Sequence, residues 1–262
     1  MKKLVILVAL AAIVIYGCKK SSSTDNSNVT CKLLKTIITA NGTTVSTFYS
    51  YNSSGKINLV WKQNGKSDTV QSRKYVYSGN NFSYSIGKDD SGNIDTTYYT
   101  YDGSNRIIVT LKRNHNTGKT LKTATHFTYN GSNQVTLTNT QSTLDDVNFT
   151  YDSIVYQYNL ANVAGYSQYT KVGSGSWTQY QVNFGYDGQS NYYKTTGEPE
   201  ISYEYWSVNN LSQFFKPDST TAYATYNFTN YTATHYPQNF TETFNPSQPN
   251  NQISGTLSYQ CQ

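Results

Sequence analysis

The segment Tyr99-Thr100-Tyr101-Asp102-Gly103-Ser104-Asn105-Arg106-Ile107 restates a phrase found elsewhere in the chain, as YSYNSSGKI over Tyr49–Ile57 and FTYNGSNQV over Phe127–Val135. Degenerate copies lie at Tyr75–Phe82 (YVYSGNNF), Phe149–Asp152 and Phe184–Ser190. Each copy reads as an aromatic-x-aromatic strand end, a turn of Asp, Asn, Gly or Ser, and a basic or polar residue that opens the next strand. Self-similarity of this kind specifies architecture. It carries no catalytic group.

Turn signals punctuate the first half of the domain every ~10–14 residues, as two-strand repeats require. Asn41-Gly42 and Asn64-Gly65 are hairpin dipeptides because both residues tolerate positive φ. Asn52 to Gly55, Ser91-Gly92-Asn93, Asp102-Gly103 and Asn130-Gly131 mark further turns. Short turns connect antiparallel neighbours, since parallel strands need long crossovers. Tyr, Thr, Val and Phe dominate while helix formers are scarce, which is a strand composition. The phrase weakens after Tyr151. Residues 197–218, with Pro199 and Pro217 around SYEYWSVNNLSQFF, are expected to form an irregular insertion with one short helix over 208–215.

Residues i and i+2 of a strand share a face, so Tyr49 with Tyr51, Tyr75 with Tyr77, Tyr99 with Tyr101, Phe127 with Tyr129 and Phe149 with Tyr151 are expected to form one aromatic face. About ten such side chains amount to roughly 2,000 Å² of largely apolar surface, far above what a soluble monomer exposes. Most of it must be buried. Tyr outnumbers Phe, 26 to 10, and each phenol needs water or a partner. A thin core that lets hydroxyls reach solvent or turn backbone follows. The expected fold is all-β, an antiparallel meander of two-strand repeats curled into a roll or half-barrel.

The N-terminus has a separate purpose. Lys2 and Lys3, the apolar run Leu4 to Tyr16 and Gly17-Cys18 match the zones of a bacterial secretion signal, and the run is too short to span a bilayer. Ile15-Tyr16-Gly17-Cys18 resembles a lipobox, so residues 1–17 read as a signal peptide and Cys18 as the lipidated mature N-terminus. Residues 18–30, with KKSSSTDNSN, form a polar tether, and 31–262 a single domain. Loss of Lys2 and Lys3 lowers the net charge from +5 to +3. With no cationic run beyond Lys19-Lys20, nucleic acid is excluded as a partner. In an oxidising compartment the remaining Cys31 and Cys261 read as a disulfide that pins the first strand to the last, with two unpaired thiols as the alternative.

The copies at 49–57, 99–107 and 127–135 resemble the YD repeat of Rhs-type proteins, Tyr-x-Tyr-Asp-x-x-Gly-Asn/Arg-Leu. Glycine comes early in two of them, as Gly103 and Gly131. The chain is too short for the closed shell of the Rhs family. It is more similar to uncharacterised Bacteroidota cell-envelope lipoproteins with YD-like repeats, which open on a Cys-Lys/Arg-Leu phrase, here Cys31-Lys32-Leu33, and close on Tyr-x-Cys, here Tyr259-Gln260-Cys261, after a Tyr-Pro step, here Tyr236-Pro237. The resemblance implies an outer-membrane lipoprotein, periplasm-facing or surface-displayed, and no activity.

Candidate chemistry is sparse. His115, His126 and His235 have no nucleophile signature beside them, and no metal or cofactor is implied. Asp89 to Asp95 resembles the start of a calcium loop but lacks its closing glutamate; a hairpin turn explains it. Glu198, Glu200 and Glu204 beside Tyr203, Tyr205 and Trp206 are the least improbable glycosidase carboxylates. Tyr203, Tyr205, Trp206, Phe214 and Phe215 break the repeat, and interruptions of a rigid scaffold are where function concentrates. They either plug the open end of the roll or stack on sugar rings. The leading expectation is a non-enzymatic envelope scaffold, anchored in the membrane by its lipid, with a structural, adhesive or ligand-presenting role. The alternative is a glycan-binding lipoprotein of an outer-membrane uptake system. The partners expected are polysaccharide or another envelope protein.

Overall fold

The computed structural model describes residues 30–65, 68–116, 119–145, 147–216, 219–244 and 252–261. The signal segment, Cys18 and the tether up to residue 29 lie outside the described residues. From Cys31 the chain forms one compact unit of sixteen strands: β1 (Cys31–Ala40), β2 (Thr43–Tyr51), β3 (Ile57–Asn64), β4 (Thr69–Ser78), β5 (Asn81–Lys88), β6 (Ile94–Tyr101), β7 (Ile107–Asn116), β8 (Lys119–Tyr129), β9 (Val135–Leu144), β10 (Val147–Asn159), β11 (Asn162–Val172), β12 (Thr178–Ser190), β13 (Asn209–Phe215), β14 (Ala222–Tyr231), β15 (Pro237–Phe244) and β16 (Gln252–Cys261). Each pairs antiparallel with the next, and β1 pairs with β16, so the meander closes into a barrel.

Closure corrects the expected roll or half-barrel. An open roll would leave the backbone groups of β1 and β16 unpaired along both edges. Here they pair with each other from Cys31↔Cys261 to Ala40↔Ile253, with one bulge between Leu33 and Lys35. Cys31 and Cys261 are also joined by a disulfide across 230 positions of sequence. Replacing both cysteines by serine is expected to lower unfolding stability by about 2–4 kcal/mol, read from denaturant midpoints. A loss below about 0.5 kcal/mol, the scale of an ordinary surface change, would mean that the seam holds without the bond.

The irregular insertion also needs correction. Residues 209–215 form β13, and the expected helix over 208–215 is absent. Leu211, Phe214 and Phe215 have helix-like spacing, but the edge of β12 lies open beside them. Pairing with it, Asn183↔Phe215 through Ser190↔Asn209, outweighs local periodicity.

The repeat has a common hydrogen-bond logic. Asn52, Asp102 and Asn130 each begin a turn by accepting, at one side-chain oxygen, the backbone N–H groups two and four residues on. The residue three places after each has positive φ: Gly55 at 73°, Asn105 at 60° and Asn133 at 59°. In two of the copies asparagine, which tolerates the left-handed region, fills this position, and Gly103 and Gly131 lie two residues before it. Just before the turn, the second tyrosine of the phrase points inward and donates to a main-chain carbonyl one repeat back. Tyr51 reaches Leu33 O, Tyr77 Ile57 O, Tyr129 Ile107 O, Tyr158 Val135 O, Tyr186 Val163 O and Tyr259 Pro237 O, all at 2.6–3.0 Å. These six bonds latch a two-strand unit to the one before, and they explain why tyrosine replaces phenylalanine there; Tyr231 turns its hydroxyl to Asp187 and Phe228 O instead. In the fifth repeat the inward pair is Tyr156 and Tyr158. Tyr151 stands opposite Gln141 on the outer face, which corrects its assignment to the aromatic side. The side chain of Phe149 lies outside the described residues.

Candidate functional site: a plugged lumen

Sixteen strands at about 4.8 Å spacing give a barrel at least roughly 25 Å wide, whereas facing sheets fill a core about 10 Å thick. Side chains of the wall cannot fill such a lumen alone. The chain between β12 and β13 does so. It forms a 3₁₀ turn over Tyr192–Thr195 and a single helical turn, α1 (Tyr203–Trp206), and touches strands all around the cylinder. The Tyr51 hydroxyl of β2, which donates to Leu33 O, also lies 3.2 Å from Thr195 O and from Thr196 O. Tyr75 of β4 donates to Glu198 Oε1 at 2.5 Å. Phe127 of β8 and Tyr156 of β10 meet the Trp206 ring edge-to-face, with centroids 6.3 and 4.9 Å away. Phe184 of β12 stacks on Tyr203 at 4.8 Å, and Phe228 of β14 packs on Tyr192. Only a segment inside a closed barrel can reach all six.

Two buried asparagines hold this plug in shape. Asn191 accepts the Tyr193 N–H at 3.0 Å and donates to the carbonyls of Glu204 and Ser207, clamping the start of the plug to its end. Asn210 accepts the Tyr192 N–H and donates to Asp187. Sequence reasoning missed both. Their only signal was amide residues at the two borders of the non-repetitive stretch.

Of the five aromatics singled out, Tyr203, Tyr205 and Trp206 belong to the plug. Tyr205 donates to Glu198 Oε2 at 3.0 Å, and Trp206 Nε1 donates to Glu200 O at 3.0 Å. Phe214 lines the lumen against Phe184 and Tyr223. Phe215 faces outward opposite Asn183. They form no shared surface, because α1 and β13 present them to different environments. The three glutamates are likewise divided. Glu198 is held between two phenols, whose own pKa values rise through burial and then the nearby carboxylate. Glu200 pairs with Lys194 at 2.9 Å. Glu204 lines a separate cavity of about 90 Å³ beside Tyr203 and Tyr226.

Two larger cavities flank the plug. One of about 590 Å³ opens at the rim between the plug and the repeat turns. The other, about 440 Å³, lies deeper, among Tyr75, Thr97, Thr110, Thr125 and Lys112. There Arg73 grips both oxygens of Asp95 at 3.0 and 2.9 Å, and Lys112 approaches the same carboxylate at 3.5 Å. The lumen thus changes from aromatic near the plug to hydroxylated and charged beyond it. The Asp89 turn is a hairpin turn: Asp89 accepts the N–H groups of Ser91 and Asn93, and Asp95 belongs to the lumen. Among the described residues no group of three or more His, Cys, Asp and Glu could hold a metal ion. His126 pairs with Val109 and Asn139 on the outer face, and His235 occupies a turn at φ 65°.

No sequence-family description matches this chain, and no curated protein does. Among solved structures it is similar to a porin-like protein from Bacteroides uniformis ATCC 8492, at 14% identity over 87% of this chain and 98% of that one, with a TM-score of 0.55. It is similar to a porin-like protein from Bacteroides vulgatus ATCC 8482 at 12% identity, with the same coverage and TM-score. At such identities the likeness concerns the fold alone, over 98% of each relative's length.

Proposed function

We propose that the chain is a non-enzymatic scaffold of the cell envelope, a water-facing barrel tethered by lipid at Cys18. The character of the outer wall carries this reading. The face opposite the tyrosines is occupied by Thr225, Asn227 and Thr229 on β14, Asn239, Thr241 and Thr243 on β15, and Ser254, Thr256 and Ser258 on β16. Lys74 and Arg113 point outward on β4 and β7, paired with the outward Ile86 and Thr96. A cation facing lipid costs about 2–4 kcal/mol at the bilayer midplane, and a transmembrane barrel turns apolar residues outward and polar ones inward. On β14 to β16 and at these cations the wall departs from that arrangement, although Phe48, Trp61, Tyr84, Tyr98 and Leu111 make an apolar stretch of the outer face on β2 to β7 and the lumen holds Arg73, Asp95 and Lys112. The likeness to porin-like structures and the resemblance to Bacteroidota envelope lipoproteins both fit an envelope address.

Cys31 opens β1 on the rim that carries the repeat turns, opposite the loops at Asn41-Gly42, Asp89 to Asn93 and Gly173 to Gly175. The mature chain carrying Cys18→Ala is expected to be a monodisperse protein in buffer without detergent. The unaltered chain is expected to take up a palmitate analogue and sediment with membranes. A Cys18→Ala protein that needs detergent would overturn the water-facing barrel, and label retained by the Cys18→Ala protein would overturn the anchor.

A further inference from the structure

We infer that the rim cavity of about 590 Å³ is a binding site for a neutral saccharide of one or two rings. Its volume falls in the range of small-molecule sites, about 300–1,000 Å³. Its walls combine the aromatic rings of Phe82, Tyr129 and Trp206 with the amides of Asn105, Asn133 and Gln134. Flat apolar rings beside amide donors and acceptors suit a sugar, whose C–H faces are apolar and whose edges are hydroxyls.

Electrostatics decide the ligand's charge. Every ionised group lining the cavity is already engaged. Arg106 pairs with Asp102 at 2.6 Å and donates to Asn133 Oδ1 at 2.9 Å. Lys194 pairs with Glu200, and both oxygens of Glu198 accept phenol hydroxyls. An acidic or basic ligand would have to break one of these pairs. A neutral polyol need not, because the amides retain capacity: Asn133 accepts from Arg106 through its oxygen, and Asn105 accepts from Asn81 in the same way, so the NH₂ groups of both remain as donors.

An independent observation singles out the same cavity. The latch that ties a repeat to its predecessor is not well formed at Tyr101. Its hydroxyl is buried without a well-formed hydrogen bond, although the Phe82 backbone, the latch position of this repeat, is within its reach. The neighbouring latches at Tyr77 and Tyr129 are intact. A buried unpaired hydroxyl is costly, and Tyr101 lines the cavity, where a ligand hydroxyl would complete it.

The test uses the mature chain and a panel of glucose, galactose, mannose, xylose and N-acetylglucosamine with their α- and β-linked dimers, titrated by calorimetry and by saturation-transfer NMR. At least one neutral member is expected to bind. Tyr101→Phe removes only the unpaired hydroxyl, so its melting temperature is expected to stay level or rise while affinity for that sugar falls about five- to tenfold. Asn133→Gly keeps the left-handed backbone and removes the amide; it is expected to weaken binding by a similar factor. Absence of binding across the panel overturns the site, as does equal affinity in both variants. Tighter binding of a uronic acid than of its neutral parent overturns the assigned ligand class.

Discussion

Raising the pH through 10 to 12 is expected to unfold the barrel cooperatively, with tyrosinate absorbance and loss of near-ultraviolet circular dichroism appearing together. The expectation follows from the inward phenols. Burial pushes Tyr77, Tyr101, Tyr156 and Tyr186 up to about 12 from an ordinary value of 10.0, and burial with the adjacent Glu198 charge raises Tyr75 further. A phenol is neutral below its pKa. Between pH 10 and 12 the folded barrel keeps protons that the unfolded chain has released, so stability falls as pH rises. Below pH 10 the contribution is fully present. Several such groups acting together make the transition steep. Phenols that titrate one by one near pH 10, with the dichroism preserved, would mean that the lumen is open to solvent and the latches are not closed.

Trp206→Ala is expected to destabilise the protein by about 3 kcal/mol or more, in the range for emptying a large aromatic site. The indole supports both sides of the plug, through its edge-to-face contacts with Phe127 and Tyr156 and its bond to the Glu200 carbonyl. Phe215→Ala makes the contrasting control. Its ring belongs to the outer face, so its loss is expected to cost below about 1 kcal/mol despite equal hydrophobicity. Equal effects in urea denaturation would contradict the placement of residues 191–208 inside the barrel.

The aromatic phrase was readable because strand alternation and turn chemistry act over a few residues. Burial of the tyrosine face followed from area alone, and the preference for Tyr over Phe left the hydroxyls to reach solvent or turn backbone across a thin core; the fold sends them instead to carbonyls at the start of the preceding strand, in a wide lumen. The Cys31–Cys261 pairing was readable from compartment and parity. What local pattern concealed was competition. At Asn209 to Phe215 the helix-like spacing lost to an open strand edge, and at Tyr151 an aromatic that fits the phrase occupies the outer face because β10 continues eight residues further, to Asn159.

The chain by itself determined the repeating unit: an inward aromatic pair, an Asx-capped turn and a left-handed residue filled by Gly or Asn. Those are short-range choices set by side-chain stereochemistry. Closure was decided only in three dimensions, because it depends on how many twisted units accumulate before β16 meets β1. The plug was decided there too. A half-barrel would leave 191–208 as a surface loop, whereas a closed ring of sixteen strands encloses a space too wide for its own side chains, and filling it packs Tyr203 and Phe214 into the core, leaves Trp206 between the core and the rim cavity, and leaves Phe215 outside.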